Sequence, residues 1–249
     1  MLLKGKVAII TGSSRGIGAA SAKALGKEGA AVVVNYVRNR SAAERVVDEI
    51  RAMNGRAIAV QADVTQREEV DRMVAACLES FGQIDILVNS VAYNNIRKKF
   101  GTMTWEDYQW QIDGSLKAAF HCCQAVLPSM LQRGAGKIIN ISSTTFVSPT
   151  LGSHAYITAK AAIVGFSRSL ALELAPSGIA VNIVQPSFVL TDRTANSPEE
   201  ARLGFLRSTP LGRLCEPEDV AGAVLFLASD LSSFVAGATV SVTGGRSMA

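Results

Sequence analysis

Tyr156 and Lys160 stand four residues apart in Ser153-His154-Ala155-Tyr156-Ile157-Thr158-Ala159-Lys160-Ala161-Ala162, a stretch that reads as the start of a helix with a small, apolar body running on through Leu174. Positions four apart share a helix face, so both side chains can enter one cleft. A phenol is a poor acid at neutral pH, with a reference pKa of about 10. An ammonium group beside it favours the phenolate. The pair can therefore pass a proton to or from a substrate oxygen near neutrality. A solvated lysine and a half-buried tyrosine would give the same pattern, so the chemical reading depends on what else converges on them.

A second stretch offers different chemistry. Val7-Ala8-Ile9-Ile10 is a short apolar run of the kind that forms a buried parallel strand. It leads into Thr11-Gly12-Ser13-Ser14-Arg15-Gly16-Ile17-Gly18 and then a helix from about Ala19 to Gly29. Glycines let the chain turn sharply and let a pyrophosphate approach backbone N–H groups, while a helix N-terminus favours its negative charge. A glycine-rich turn placed between a strand and a helix is the dinucleotide-binding arrangement, although a purely structural turn has the same letters.

The next strand, Ala31-Val32-Val33-Val34-Asn35, bears on which dinucleotide. Where NAD binds, an acidic residue at this strand end holds the ribose 2′-hydroxyl. Here Asn35 stands 17 residues after Gly18 with no Asp or Glu beside it, and Arg15, Arg38 and Arg40 lie nearby. Guanidinium groups grip phosphate in bidentate fashion. The missing carboxylate and added cations thus point to a 2′-phosphate, hence NADP(H) over NAD(H), unless the arginines are simply solvated.

These residues need elements to carry them. Strand-like runs recur at Ala57–Gln61, Ile84–Val88, Lys137–Ile141, Ile179–Val184 and Ala238–Val242. Helical segments between them include Ser41–Met53 with Ser41 as N-cap, Arg67–Ser80 capped by Thr65, Trp105–Arg133 interrupted near Asp113-Gly114-Ser115, and Glu216–Ala228. This alternation predicts an α/β fold: a single Rossmann-type, doubly wound parallel sheet of about seven strands with helices on both faces. No repeat or linker divides residues 1–249, and the polar, proline-punctuated segment 187–214 reads as a substrate flap within the one domain. Ligands gather beyond the carboxyl ends of such strands. The glycine-rich turn, Asp63, Asn89, Ser143 and Pro186 all follow strand ends. Asp63 fits either an acceptor for an adenine amino group, with Val64 packing near the ring, or a plain turn residue.

Composition removes other classes. The chain has 249 residues, a net charge of +4 and no basic run longer than Arg97-Lys98-Lys99, which is not the stripe of a nucleic-acid binder. His121 and His154 are too far apart, and Cys77, Cys122, Cys123 and Cys215 are too irregularly spaced, for a metal site. The cysteines read as reduced thiols of a cytoplasmic protein. The Met1–Lys6 start has no secretory profile and no apolar run is long enough to span a bilayer.

Together, Thr11-Gly12-x-x-x-Gly16-x-Gly18, Ser143 and Tyr156-x-x-x-Lys160 resemble the classical short-chain dehydrogenase/reductases over essentially the whole chain, Lys6 to Gly245, and most nearly their 3-oxoacyl-carrier-protein reductase-like members. The resemblance implies an oxidoreductase passing a hydride between a nicotinamide cofactor and a ketone or secondary alcohol, with 3-oxoacyl compounds among the substrates it allows. It implies Tyr156 as general acid/base, Lys160 as the group that sharpens it and bonds the nicotinamide ribose, and Ser143 as donor to the substrate oxygen, because Ser143 rather than Ser142 lies 13 residues before Tyr156. It implies cofactor contacts from Gly12, Ser14, Arg15, Gly16, Ile17, Gly18, Asn35, Arg38, Asp63, Val64, Asn89, Ser90, Tyr156, Lys160, Pro186, Val189 and Thr191. It also implies a homotetramer, in keeping with apolar residues on more than one face of the Phe120 and Tyr156 helices. The substrate would meet Tyr93–Gly101, Thr144–His154 and Ser187–Leu211.

Three positions depart from the family pattern. The stretch after the fourth strand is Asn89-Ser90-Val91-Ala92, where the family often closes with glycine; Pro186 is followed by Ser187 in place of glycine; and Ser115 stands where the family has the Asn of a proton relay. Ser115 and the altered Asn89–Ala92 stretch keep open a second reading: a low-turnover NADP(H)-binding or sensing protein on the same fold.

Overall fold

The computed structural model describes residues 1–247; the last two residues of the expected single domain lie outside them. Seven strands form one sheet in the order β3-β2-β1-β4-β5-β6-β7. They are β1 (Val7–Ile10), β2 (Ala31–Tyr36), β3 (Arg56–Gln61), β4 (Ile86–Asn89), β5 (Gly136–Ile141), β6 (Ile179–Pro186) and β7 (Thr239–Val242). Every neighbouring pair is parallel. The chain reverses direction across the sheet where β1 lies between β2 and β4, and that is where a doubly wound sheet opens a crevice at its carboxyl edge.

Alternation along β1 explains why both faces are covered. Ala8 and Ile10 point into one apolar core, formed with α1 (Gly16–Lys27), α2 (Arg40–Ala52) and α8 (Pro217–Ala228). Val7 and Ile9 point into the other, formed with α3 (Arg67–Phe81), α5 (Ala118–Arg133) and α6 (His154–Leu174). Fully burying one Ile or Leu contributes about 1.5–3 kcal/mol, so two complete faces fix this sheet in place.

Several local expectations change. Asn39, not Ser41, caps α2: its side chain accepts the Ala42 N–H at 3.0 Å. Thr65 does not cap α3; instead the Glu69 carboxylate accepts the Asp63 N–H at 2.7 Å. The interruption near Asp113 is no break. α4 (Trp105–Ile112) continues through a π-helical turn, Asp113–Lys117, into α5. Gly114 sits where a Cβ would lie 2.3 Å from the Tyr93 ring, so the wide turn is seated directly on an aromatic side chain. The 187–214 segment is also more ordered in form than its composition suggests, since it carries α7 (Glu199–Arg207). Phe188 stacks on Phe205 of α7 at 4.6 Å, and the Arg246 guanidinium covers the Phe205 ring at 4.4 Å.

Candidate active site

The glycine-rich turn is built from the inside. Gly12 and Gly16 have φ of +61° and +56°, a region L side chains resist. Gly18 is needed for closeness: a Cβ there would lie 2.6 Å from the Gly12 carbonyl oxygen. No side chain caps α1, so its first-turn N–H groups remain available to an anion.

Asn35 has a different place from the one expected. It is fully buried, accepts the Gly12 N–H at 2.9 Å and donates to the Ala62 carbonyl at 2.9 Å, while its own N–H donates to Ser13 Oγ. Its amide therefore holds the turn and is not free to hold a ribose. Beyond it, Val37, Arg38 and Arg40 are exposed at the strand end, and Arg40 lies 3.5 Å from Glu44. Among the described residues neither Arg15 nor Arg38 has a carboxylate partner.

Other expected contacts are likewise inward-facing. Val64 and Val189 are buried in the two cores, leaving them only backbone to show a ligand. Asp63 Oδ1 accepts from both the N–H and the hydroxyl of Thr65, so the turn role is the one its contacts display. Pro186 is buried at the end of β6. Asn89 bridges β4 to β5, donating to Asn140 Oδ1 at 2.8 Å, and the N–H of Ser90 donates to Thr11 Oγ1. Asn89 Oδ1 is buried without a partner and lines a small cavity with Thr11, Val91, Ser115, Ile141 and Lys160. Thr191 lies across Gly16, where a Cβ would be 3.3 Å from its methyl group.

The end of β5 and the helix α6 bring Ser143, Tyr156 and Lys160 into the fold. Lys160 is 2% exposed, donates to the Ile141 carbonyl at 2.9 Å, and accepts the Ser142 hydroxyl at its own carbonyl at 2.9 Å. These two bonds fasten α6 to the end of β5, one residue before Ser143. The Ser142 hydroxyl is thereby engaged. Ser143 Oγ only accepts, from the Thr145 N–H and hydroxyl, so its own proton remains free to donate. Tyr156 is half-buried on the same helix, and its hydroxyl has no protein partner among the described residues. Burial, with the nearby Arg193 guanidinium adding to it, pushes the Lys160 ammonium down to about 7. Sequence reasoning missed Arg193, because a lone arginine in a polar loop reads as solvated.

The flanking loops expected to meet substrate are joined to each other. The Lys98 N–H donates to the Gly152 carbonyl, Asn95 to Ser153, and Tyr108 bonds His154 Nδ1 at 2.7 Å. Lys98 itself is paired with Asp107 at 2.7 Å, so this cation faces a partner already present.

A family model described as enoyl-(acyl carrier protein) reductase matches residues 12–247. The chain belongs to the classical short-chain dehydrogenase/reductase family. It is 43% identical over 247 residues to a 3-oxoacyl-[acyl-carrier-protein] reductase of Synechocystis sp., covering 99% of this chain and 98% of that one. It is 38% identical over 245 residues to the reductase FabG of Staphylococcus epidermidis, covering 98% and 99%. Among solved structures, a 7α-hydroxysteroid dehydrogenase in complex with NADH and 7-oxo glycochenodeoxycholic acid superimposes with a TM-score of 0.94 at 35% identity, over 98% of this chain and 94% of that one. As a short-chain dehydrogenase/reductase the protein is an oxidoreductase acting on CH–OH or C=O groups. Among the described residues no helix is long and apolar enough to cross a membrane, and no group of three or more His, Cys, Asp or Glu side chains is placed to hold a metal.

The two serines separate cleanly by experiment. Ser143→Ala should lower kcat for ketone reduction by about 10²–10³, the usual loss for one oxyanion donor. Ser142→Ala should keep kcat within a few-fold while lowering stability to urea by about 1 kcal/mol. Equal kcat losses in the two variants would show that the hydroxyl assignment is wrong.

Proposed function

We propose that the protein is an NADP(H)-dependent ketone reductase or alcohol dehydrogenase in which Tyr156 is the general acid of reduction and the base of oxidation. The observation that carries this is the combination at one sheet edge of a free Tyr156 hydroxyl, a free Ser143 proton and a buried Lys160. A bound nicotinamide would supply or take the hydride. Ser143 donates to the substrate oxygen and orients it. Tyr156 gives that oxygen a proton as negative charge develops on it. A protonated Lys160 stabilises the phenolate left behind.

The donor set fits such a cofactor. The uncapped N-terminus of α1 and the positive-φ glycines suit a pyrophosphate, and Thr191 stands over Gly16. Arg15 and Arg38, exposed and without carboxylate partners among the described residues, support a 2′-phosphate and hence NADP(H). Segment 187–214, with Phe188 against Phe205, supports an apolar cover over the substrate. Curated relatives named as 3-oxoacyl-[acyl-carrier-protein] reductases support a 3-oxoacyl thioester as the substrate class to try first.

The free cysteines support a reducing compartment, the cytoplasm, which cell fractionation tests; burial pushes Cys123 up to about 12, so it is an inert packing group. Exposed Phe120 on α5 and Leu172 on α6 support assembly with further copies. Light scattering should return four times the 26.3 kDa chain mass, and a lone 26.3 kDa species would contradict the tetramer.

NADPH and NADH oxidation against a panel of ketones and 3-oxoacyl thioesters tests the reaction. Tyr156→Phe should lower kcat by at least about 10²–10⁴. Arg38→Asp should shift the NADPH-to-NADH preference in kcat/KM by about tenfold or more toward NADH. Full activity in Tyr156→Phe would remove the proposed acid. Tight NADPH binding without turnover on any substrate would favour the sensing role.

A further inference from the structure

Arg193 occupies a position that solvation alone does not explain. It sits in a turn locked by its own neighbour: Thr194 Oγ1 donates to the Val189 carbonyl at 2.6 Å and accepts the Thr191 N–H at 2.8 Å. The Ala195 N–H closes the same turn on the Thr191 carbonyl at 2.9 Å. The turn is seated over the cofactor cradle, because Thr191 is the residue packed on Gly16. From there the Arg193 side chain crosses to the loop after β4 and donates from Nη1 to the Ala92 carbonyl at 3.3 Å. Val91, one residue earlier, is packed against Gly12. The arginine thus spans the crevice from the β6 side to the β4 side, above the glycine-rich turn.

Its electrostatic setting is incomplete. A guanidinium carries five N–H donors in a planar fork. Here a single neutral carbonyl answers it, at long range, and no carboxylate pairs with it among the described residues, although Asp192 is its neighbour in sequence. The nearby charged group is Lys160, of like sign. A guanidinium on a turn packed against the first residue of an uncapped helix makes a place for an anionic oxygen.

We propose that Arg193 is a clamp for the cofactor's pyrophosphate: the guanidinium leaves the Ala92 carbonyl for phosphate oxygens and so fastens the 187–198 segment over the bound dinucleotide. This rests on the dinucleotide reading above. Position selects the pyrophosphate over the 2′-phosphate. Arg38 follows β2, on one side of β1, whereas Arg193 reaches the loop after β4, on the other. A carboxylate on the carbonyl substrate would present the same oxyanion chemistry, and the test separates the sources.

Dissociation constants are measured by fluorescence for wild type, Arg193→Met and Arg193→Lys with three ligands. NADPH carries both phosphate groups, 2′-phospho-ADP-ribose keeps the pyrophosphate without nicotinamide, and adenosine 2′-phosphate lacks the pyrophosphate. Arg193→Met should bind NADPH and 2′-phospho-ADP-ribose roughly ten- to hundredfold more weakly and adenosine 2′-phosphate unchanged, with Arg193→Lys in between. Coincident thermal melting of the three proteins shows that the fold is intact. Unchanged NADPH affinity in both variants overturns the clamp, as does an equal loss on adenosine 2′-phosphate or an effect confined to the KM of an anionic ketone. If wild type binds neither NADPH nor NADH, the dinucleotide reading falls and the clamp with it; if wild type binds and Arg193→Met binds equally, only the clamp falls.

Discussion

A lysine inside a protein, with a carbonyl oxygen for company and no carboxylate, is in tension with its own charge. Lys160 is in that position: 2% exposed, bonded to the Ile141 carbonyl, with Arg193 as its charged neighbour. Burial disfavours the ammonium form most, and the guanidinium adds to it, which brings the group down to about 7 from 10.5. The sign for the fold follows. A depressed lysine leaves the folded chain holding fewer protons than the unfolded one between those values, so burying the charge weakens the fold fully below about 7 and ceases to do so as pH rises toward 10.5. What relieves the tension is an anion. A lysine held in this way regains its charge most readily when a negatively charged partner arrives beside it.

The surrounding structure is organised to keep that arrangement stiff. The Lys160 ammonium donates to the Ile141 carbonyl and the Ser142 hydroxyl to the Lys160 carbonyl, which fastens α6 to the end of β5 beside Ser143. Asn89 and Asn140 join β4 to β5, and Asn140 continues to Ser167 on α6. Asn35 does the corresponding work at the glycine-rich turn by holding Gly12 and Ala62 together. Buried amides bonded from one element to the next rigidify a site without adding charge to it. The π-helical turn at Asp113–Lys117 brings Ser115 to the cavity behind Lys160, where Asn89 Oδ1 has no partner. Such turns occur often at functional sites.

Much of this was legible in the letters. The apolar runs of β1 to β6 and the glycine spacing announce a parallel sheet with a tight turn into α1, because burial on both faces and positive φ leave direct marks on composition. Tyr156 and Lys160 were legible because helix geometry converts a spacing into a shared face. Inward-facing roles were not. Asn35 and Val64 occupy positions next to the cofactor in sequence, yet the pleat turns their side chains into the turn and the core. Arg193 was illegible for the opposite reason: it is exposed, and only the fold reveals that it reaches across to the Ala92 carbonyl in the loop after β4. The turn at Gly114 looked like a helix break because glycine weakens helices; the structure uses it for contact with Tyr93.

Lys160 should gain its proton when the anionic cofactor binds. Titration calorimetry of NADPH binding at pH 8, in two buffers of different ionisation enthalpy, measures this directly. Burial lowers the Lys160 ammonium to about 7, so binding of the anion should draw protons from solution, and affinity should fall as pH rises above about 7. The same titration on Lys160→Met should show no uptake. Tight NADPH binding by the wild type with no proton exchanged would contradict the account.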